Sequence, residues 1–157
     1  MIKETSRSRT GTRKKRPILA LFYCQNVPES GEIERQALEK DYGASVRLFP
    51  IPCSGRLDSI HLLRALEEFA DAAYLIACPE GACRYVEGNG RARKRLERTA
   101  DMIAMIGLER ERLGMVMNSK ENPRGLGAIA REIMERVSGL ASSPVFTEKK
   151  RWKEKAS

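Results

Sequence analysis

Four cysteines are the residues of this 157-residue chain whose type and placing could do chemistry. They are Cys24, Cys53, Cys78 and Cys83. A thiolate is a nucleophile and a soft metal ligand, so four of them can hold a metal ion or an iron–sulfur cluster. The spacing is not that of a zinc ribbon, which needs close C-x-x-C pairs. It also misses the sequence-local ferredoxin runs, although Cys78-x4-Cys83 repeats one plant-type interval. A blander reading stands beside it: a free cysteine is commonly buried and packs as a small hydrophobe.

What raises the thiols above that reading is where they fall. Pro17-Ile-Leu-Ala-Leu-Phe-Tyr-Cys24 is a compact apolar run, and a second runs from Ser45 to Cys53, weakened at its end by Pro50 and Pro52. A third, Ala73 to Ala77, leads into Cys78. Three cysteines therefore stand at the ends of three predicted strands. Leu113 to Met117 supplies a fourth strand. Between the strands lie helical patterns. Ile33, Ala37 and Leu38 recur at helical spacing up to Gly43. Leu62, Leu63, Leu66, Phe69 and Ala70 share one face behind a cap at Asp58 or Ser59.

The glycines of Glu87-Gly88-Asn89-Gly90 predict a break, with a basic helix from Arg91 onward. That helix should turn Leu96, Ala100, Ile103 and Ile106 inward, and Arg93, Lys94, Arg95 and Arg98 mostly outward. Asn122 as cap and Pro123 as first helical residue predict the start of a last helix, with Leu126, Ile129, Ala130, Ile133, Met134 and Val137 on one face.

Strand and helix alternate four times with short links. The expected fold class is α/β: one three-layer domain, a four-stranded parallel sheet of flavodoxin or Rossmann-like order 2-1-3-4 with helices on both faces. Ligands bind such sheets at the carboxyl ends of the strands, near the switch in strand order. In that order Cys24, Cys53 and Cys78 face one crevice, and Cys83 reaches it from the following loop. Around it Gly55 and Gly81 would let backbone amides approach cluster sulfurs, and Ser54 shares the turn with Gly55 and Arg56. Arg56 and Arg84 would offset thiolate charge. Each arginine taken alone reads more readily as a solvated surface residue.

Charge separates body from tails. Residues 1–16 carry seven Lys/Arg and one Glu, and 147–157 carry five Lys/Arg and two Glu, within a net charge of +8. The body between them is close to neutral, which argues against a nucleic-acid-binding face. The expected division is a disordered basic tail over 1–16, an iron–sulfur α/β domain over 17–140 and a basic C-terminal tail over 141–157. Nothing at the N-terminus reads as a secretory signal, and no apolar stretch approaches membrane-spanning length. With unpaired cysteines in mind, a reducing cytoplasmic setting without membrane insertion is expected. The single histidine, His61, reads as an edge residue of its helix. No Walker loop, no G-x-G-x-x-G after the first strand and no G-x-S-x-G elbow occurs.

The series Phe22-Tyr-Cys24, Cys53-Ser-Gly-Arg56 and Cys78-x4-Cys83-x-Tyr85-x-Glu87-Gly-Asn89, followed by a basic helix, resembles the hydrogenase iron–sulfur (delta) subunit family. The likeness runs from about Ile18 to Met117. It implies a [2Fe–2S] cluster held by Cys24, Cys53, Cys78 and Cys83. It further implies an electron-transfer protein that transforms no substrate itself. Its partners would be a heterodisulfide-reductase-like flavoprotein and a hydrogenase or formate dehydrogenase subunit. Two departures stand out. Val27 occupies a place where many members have a further cysteine, and Pro79 and Arg84 stand where histidines often flank the Cys-x4-Cys pair. Alternatives from other classes are a non-redox adaptor that has lost its cluster and a Cys78/Cys83 dithiol redox protein.

Overall fold

The computed structural model describes residues 16–79 and 87–145. Four strands form one parallel sheet: β1 (Leu19–Cys24), β2 (Val46–Ile51), β3 (Ala72–Ala77) and β4 (Leu113–Met117). The order is β2-β1-β3-β4, as the alternation of elements predicts. Four helices connect and follow the strands: α1 (Glu32–Tyr42), α2 (Ser59–Glu68), α3 (Gly88–Met105) and α4 (Leu126–Val137). The central strands β1 and β3 are buried at every residue, which is why they read as unbroken apolar runs. Pro50 is accommodated inside β2 because β2 is an edge strand.

Side chains alternate across the sheet and build two cores. Leu21, Tyr23, Tyr74 and Ile76 pack with Leu38 of α1 and with Leu126, Ile129 and Ile133 of α4. On the other face Ala20, Phe22, Ala73 and Leu75 pack with Leu62 and Leu66 of α2 and with Leu96 and Ile103 of α3. Phe22 stacks on Phe49 with centroids 5.1 Å apart, closing that face toward the edge.

The amino ends of the strands are tied by one polar knot. The Asp71 carboxylate accepts Ile18 N at 2.8 Å and Ser143 N at 2.8 Å. Arg112, only 1% exposed, donates to the carbonyls of Asp71 and Ala141, each at 3.0 Å, and pairs with Glu109. Ala141 and Ser143 thereby join the body, beyond the expected boundary at residue 140.

Several local expectations are corrected. The last helix starts at Leu126 behind Gly125, not at Asn122 and Pro123. Asn118 explains the difference: its Nδ2 donates to Arg124 O at 2.8 Å, and its Oδ1 accepts Ser119 N and Arg124 N. Those bonds satisfy the segment as a loop, so it has no need of helical ones. Ile33 is 79% exposed, and Leu38 is the buried residue of α1. Ile106, expected inward, is 76% exposed because it sits at the C-cap of α3, past the last buried turn. Helix α3 begins at Gly88 rather than Arg91, for a reason found at the thiol site.

Candidate iron–sulfur site

The three described cysteines lie at the carboxyl edge of the sheet. Cys24 closes β1, Cys78 follows β3 by one residue, and Cys53 follows β2 by two. All three are buried. Parallel pairing sets Tyr23 beside Ile76, which puts Cys24 level with Ala77 and within one residue of Cys78. Cys78 Sγ stands 3.5 Å from Cys24 Sγ. Cys53 begins the short 3-10 turn Ser54–Arg56, and its sulfur accepts Gly55 N at 3.4 Å. Cys24 Sγ lies 3.9 Å from Pro52 O, between the Cys78 sulfur and the chain that carries Cys53.

The donor set can be tested against a metal. Two thiolate sulfurs bound to one tetrahedral metal at about 2.3 Å each stand about 3.8 Å apart. The Cys24–Cys78 separation of 3.5 Å fits two ligands of one iron. Among the described residues no group of three His, Cys, Asp or Glu side chains is close enough to hold a metal ion. Of the expected site, Cys83, Gly81 and Arg84 lie outside the described residues, while Ser54, Gly55 and Arg56 form the turn beside Cys53.

That turn packs directly on the start of α3. A Cβ added to Gly55 would lie 2.8 Å from Gly88 Cα, so the two backbones touch and Gly55 does not tolerate a side chain easily. Asn89 is buried, and its Nδ2 donates to Cys78 O at 3.2 Å and Pro79 O at 3.0 Å. Gly88 and Asn89 are therefore the first residues of the helix. The close approach and the buried amide outweigh the roughly 1 kcal/mol that a glycine costs inside a helix.

Arg95, expected outward, turns toward the same place. Its Nη1 donates to Gly55 O at 2.6 Å and lies 3.5 Å from Asp58 Oδ1. His61 accepts from Asp58 N at 3.0 Å through Nδ1, so it works in the cap of α2 and not in the site. An open pocket of about 190 Å³ lies over the turn, lined by Cys53, Gly55, Arg56, Gly88 and Arg91.

Sequence reasoning set Cys24, Cys53 and Cys78 at strand ends and expected the Ser54–Arg56 turn, where the structure has them, but missed Asn89, Arg91 and Arg95 as contributors. A polar Asn between two glycines before a basic helix was the available signal for the first. The arginines gave none, since a surface helix carries many. Val27, at the place of the missing family cysteine, is buried in the same apolar cluster as Cys24 and Cys78, and its N–H bonds Cys24 O at 3.0 Å. The neighbouring Tyr23 hydroxyl is buried without a hydrogen-bond partner among the described residues, and that burial pushes its pKa up.

Fold and thiols together define a parallel α/β domain whose carboxyl edge gathers three buried cysteines beside a pocket lined by two arginines. Residues 18–141 match the family of the methyl-viologen-reducing hydrogenase delta subunit, and the chain belongs to that family. Among its relatives is the vhu iron-sulfur subunit of the F420-non-reducing hydrogenase of Methanocaldococcus jannaschii, 26% identical over 129 residues, covering 82% of this chain and 96% of the relative. The corresponding vhc iron-sulfur subunit of Methanococcus voltae is 35% identical over 97 residues, 62% of this chain and 67% of the relative. One component of the ferredoxin:CoB-CoM heterodisulfide reductase of Methanosarcina mazei is 33% identical over 72 residues, which is 46% of this chain but only 9% of that larger protein. No helix among the described residues is long and apolar enough to cross a membrane.

Proposed function

We propose that this chain is a small iron–sulfur electron-transfer subunit. It would relay electrons between a hydrogenase- or dehydrogenase-type partner and a heterodisulfide-reductase-like flavoprotein. The observation that carries this reading is the 3.5 Å approach of the Cys24 and Cys78 sulfurs at adjacent strand ends. Relatives named iron-sulfur subunits of hydrogenases support it. The short match inside a heterodisulfide reductase component supports the choice of that partner, because there a like segment is part of the partner-type chain itself.

In this reading Cys24, Cys53, Cys78 and Cys83 would be the residues that hold a [2Fe–2S] cluster. When bound, the cluster supplies a site that takes up and releases one electron. The chain's own residues set the conditions for that. Gly55 N donates to the Cys53 sulfur and stabilises its thiolate. Asn89 fixes the backbone that carries Cys78. Arg56 and Arg91, at the pocket beside Cys53, place positive charge near the anionic ligands. No bond of a substrate is made or broken by these groups, so catalysis belongs to the partners.

Anaerobic purification followed by iron and acid-labile sulfide analysis tests this directly, with an EPR spectrum of the reduced protein. The expected result is about two irons and two sulfides per chain. Cys24→Ser and Cys78→Ser should each lose most of that iron. Protein that stays colourless after anaerobic reconstitution sinks the reading.

One observation favours a second reading, a non-redox adaptor that keeps the fold without a cluster. Val27 fills with apolar surface the place of a family cysteine. Under that reading the same serine substitutions leave partner binding and stability nearly unchanged.

A further inference from the structure

Helix α3 has a buried side and an outward side, and the outward side is not uniform. Arg91, Lys94, Arg98, Met102 and Met105 recur at intervals of three and four, which places them on one stripe of the helix. All five are exposed. The first half of the stripe is basic. Lys94 and Arg98 make no ion pair among the described residues, and Arg91 has only a solvent-exposed contact with Glu87 at 3.4 Å. The second half is apolar: Met105 is 86% exposed, Met102 51%, and the neighbouring Ile106 76%. Three large apolar side chains presented together on one helix end are a contact surface rather than scattered exposure.

The stripe also has a direction. Its basic end begins at Arg91, which lines the pocket with Cys53, Gly55, Arg56 and Gly88. The buried Cys53 is part of the lining of that pocket. A protein seated on the stripe would therefore sit beside the sulfur ligands. The opposite layer of the molecule is different: the exposed basic residues of α4 there are already engaged, Arg131 with Asp41 and Arg136 with Glu132.

We propose that the outward stripe of α3 is the surface on which the electron partner docks. That partner presents an acidic face opposite Arg56, Arg91, Lys94 and Arg98, followed by an apolar socket for Met102, Met105 and Ile106. Lys94 and Arg98, without an ion pair among the described residues, carry the argument for an acidic partner, since opposite charge steers association and fixes orientation. The methionines carry the argument for a protein socket, because their flexible side chains fill irregular apolar surfaces. This rests on the electron-transfer reading only for the identity of the partner.

The test uses the full chain and a purified heterodisulfide-reductase-like flavoprotein from the same genome. Affinity is measured for wild type, for Lys94→Glu/Arg98→Glu, for Met105→Asp, and for a charge-matched control on the opposite layer, Arg131→Glu/Arg136→Glu. The double stripe variant should bind at least ~10-fold more weakly, and Met105→Asp should also bind more weakly by ~10-fold. The control should bind like wild type. Unchanged affinity in either stripe variant overturns the proposal. So does an equal loss in the control, or a wild-type protein that does not bind. Iron content and the visible spectrum are read on the same preparations and should match wild type in every variant. Wild-type protein without iron would defeat the cluster reading while the docking comparison still stands.

Discussion

The two ends of the sheet are built from different chemistry. At the amino end, Asp71 and Arg112 are buried and their polar groups meet backbone partners at 2.8–3.0 Å. At the carboxyl end three of the buried groups are sulfurs, with contacts of 3.4–3.9 Å. Charge-assisted hydrogen bonds are short and directional, while thiols are weak donors and weak acceptors. The amino end therefore fixes how the strands, the entry at Ile18 and the segment around Ser143 meet. The carboxyl end is held from outside itself, by the Gly55–Gly88 contact, the Asn89 amide and the Arg95 clamp. The proposed function thus falls at one end and the polar ties at the other, and that division can be broken experimentally.

The largest expected effect is at the amino end. Arg112→Met removes the donors from two backbone carbonyls in the interior and should cost about 3–5 kcal/mol of stability in urea unfolding. Iron bound per folded chain should be unchanged. Loss of iron at full stability would show that the two ends are not separate. Gly55→Ala should have an intermediate effect. Its new Cβ meets Gly88 Cα at 2.8 Å, so the start of α3 must shift, at about 1–3 kcal/mol. The visible spectrum of the reconstituted protein should change with it, because the same shift disturbs the amide on Cys53.

The smallest effect is a pH dependence. The Arg112 guanidinium beside Glu109 holds that carboxyl below the usual carboxylate range. A lowered folded pKa contributes stability that is present above the unfolded value and is lost as pH falls through the folded one. Glu109 is half exposed, so solvent screens the effect. Glu109→Gln should flatten the acid limb of stability slightly, measured by thermal unfolding between pH 3 and 6 (a range of about three units around the carboxylate value). A flattened limb in Arg112→Met as well would confirm the pair as its source.

Much of this was legible beforehand because it rests on local pattern. The runs at Leu19–Cys24 and Ala72–Ala77 are apolar throughout, as strands buried on both faces must be. Four strand–helix repeats with short links leave few topologies, so the parallel order followed. The missed features are those in which a side chain answers a distant backbone. Asn118 unmakes an expected helix start with bonds to Arg124. Asn89 makes an unexpected one with bonds to Cys78 and Pro79. Both asparagines look like ordinary loop residues in sequence, since neither partner is within a helical turn of them.

The placing of Cys24, Cys53 and Cys78 after apolar runs and the alternation of elements were settled by the sequence itself, because strand burial and turn chemistry are short-range. The family likeness rested on the same short motifs. That Cys24 and Cys78 meet at 3.5 Å was decided only by the tertiary structure, since it depends on the parallel register of β1 and β3. The same holds for the seating of the Cys53 turn on Gly88, where two glycine-containing segments 33 positions apart in sequence can touch only after the sheet has formed. A period of two or 3.6 tells which way a residue faces; it does not tell what will be there to meet it.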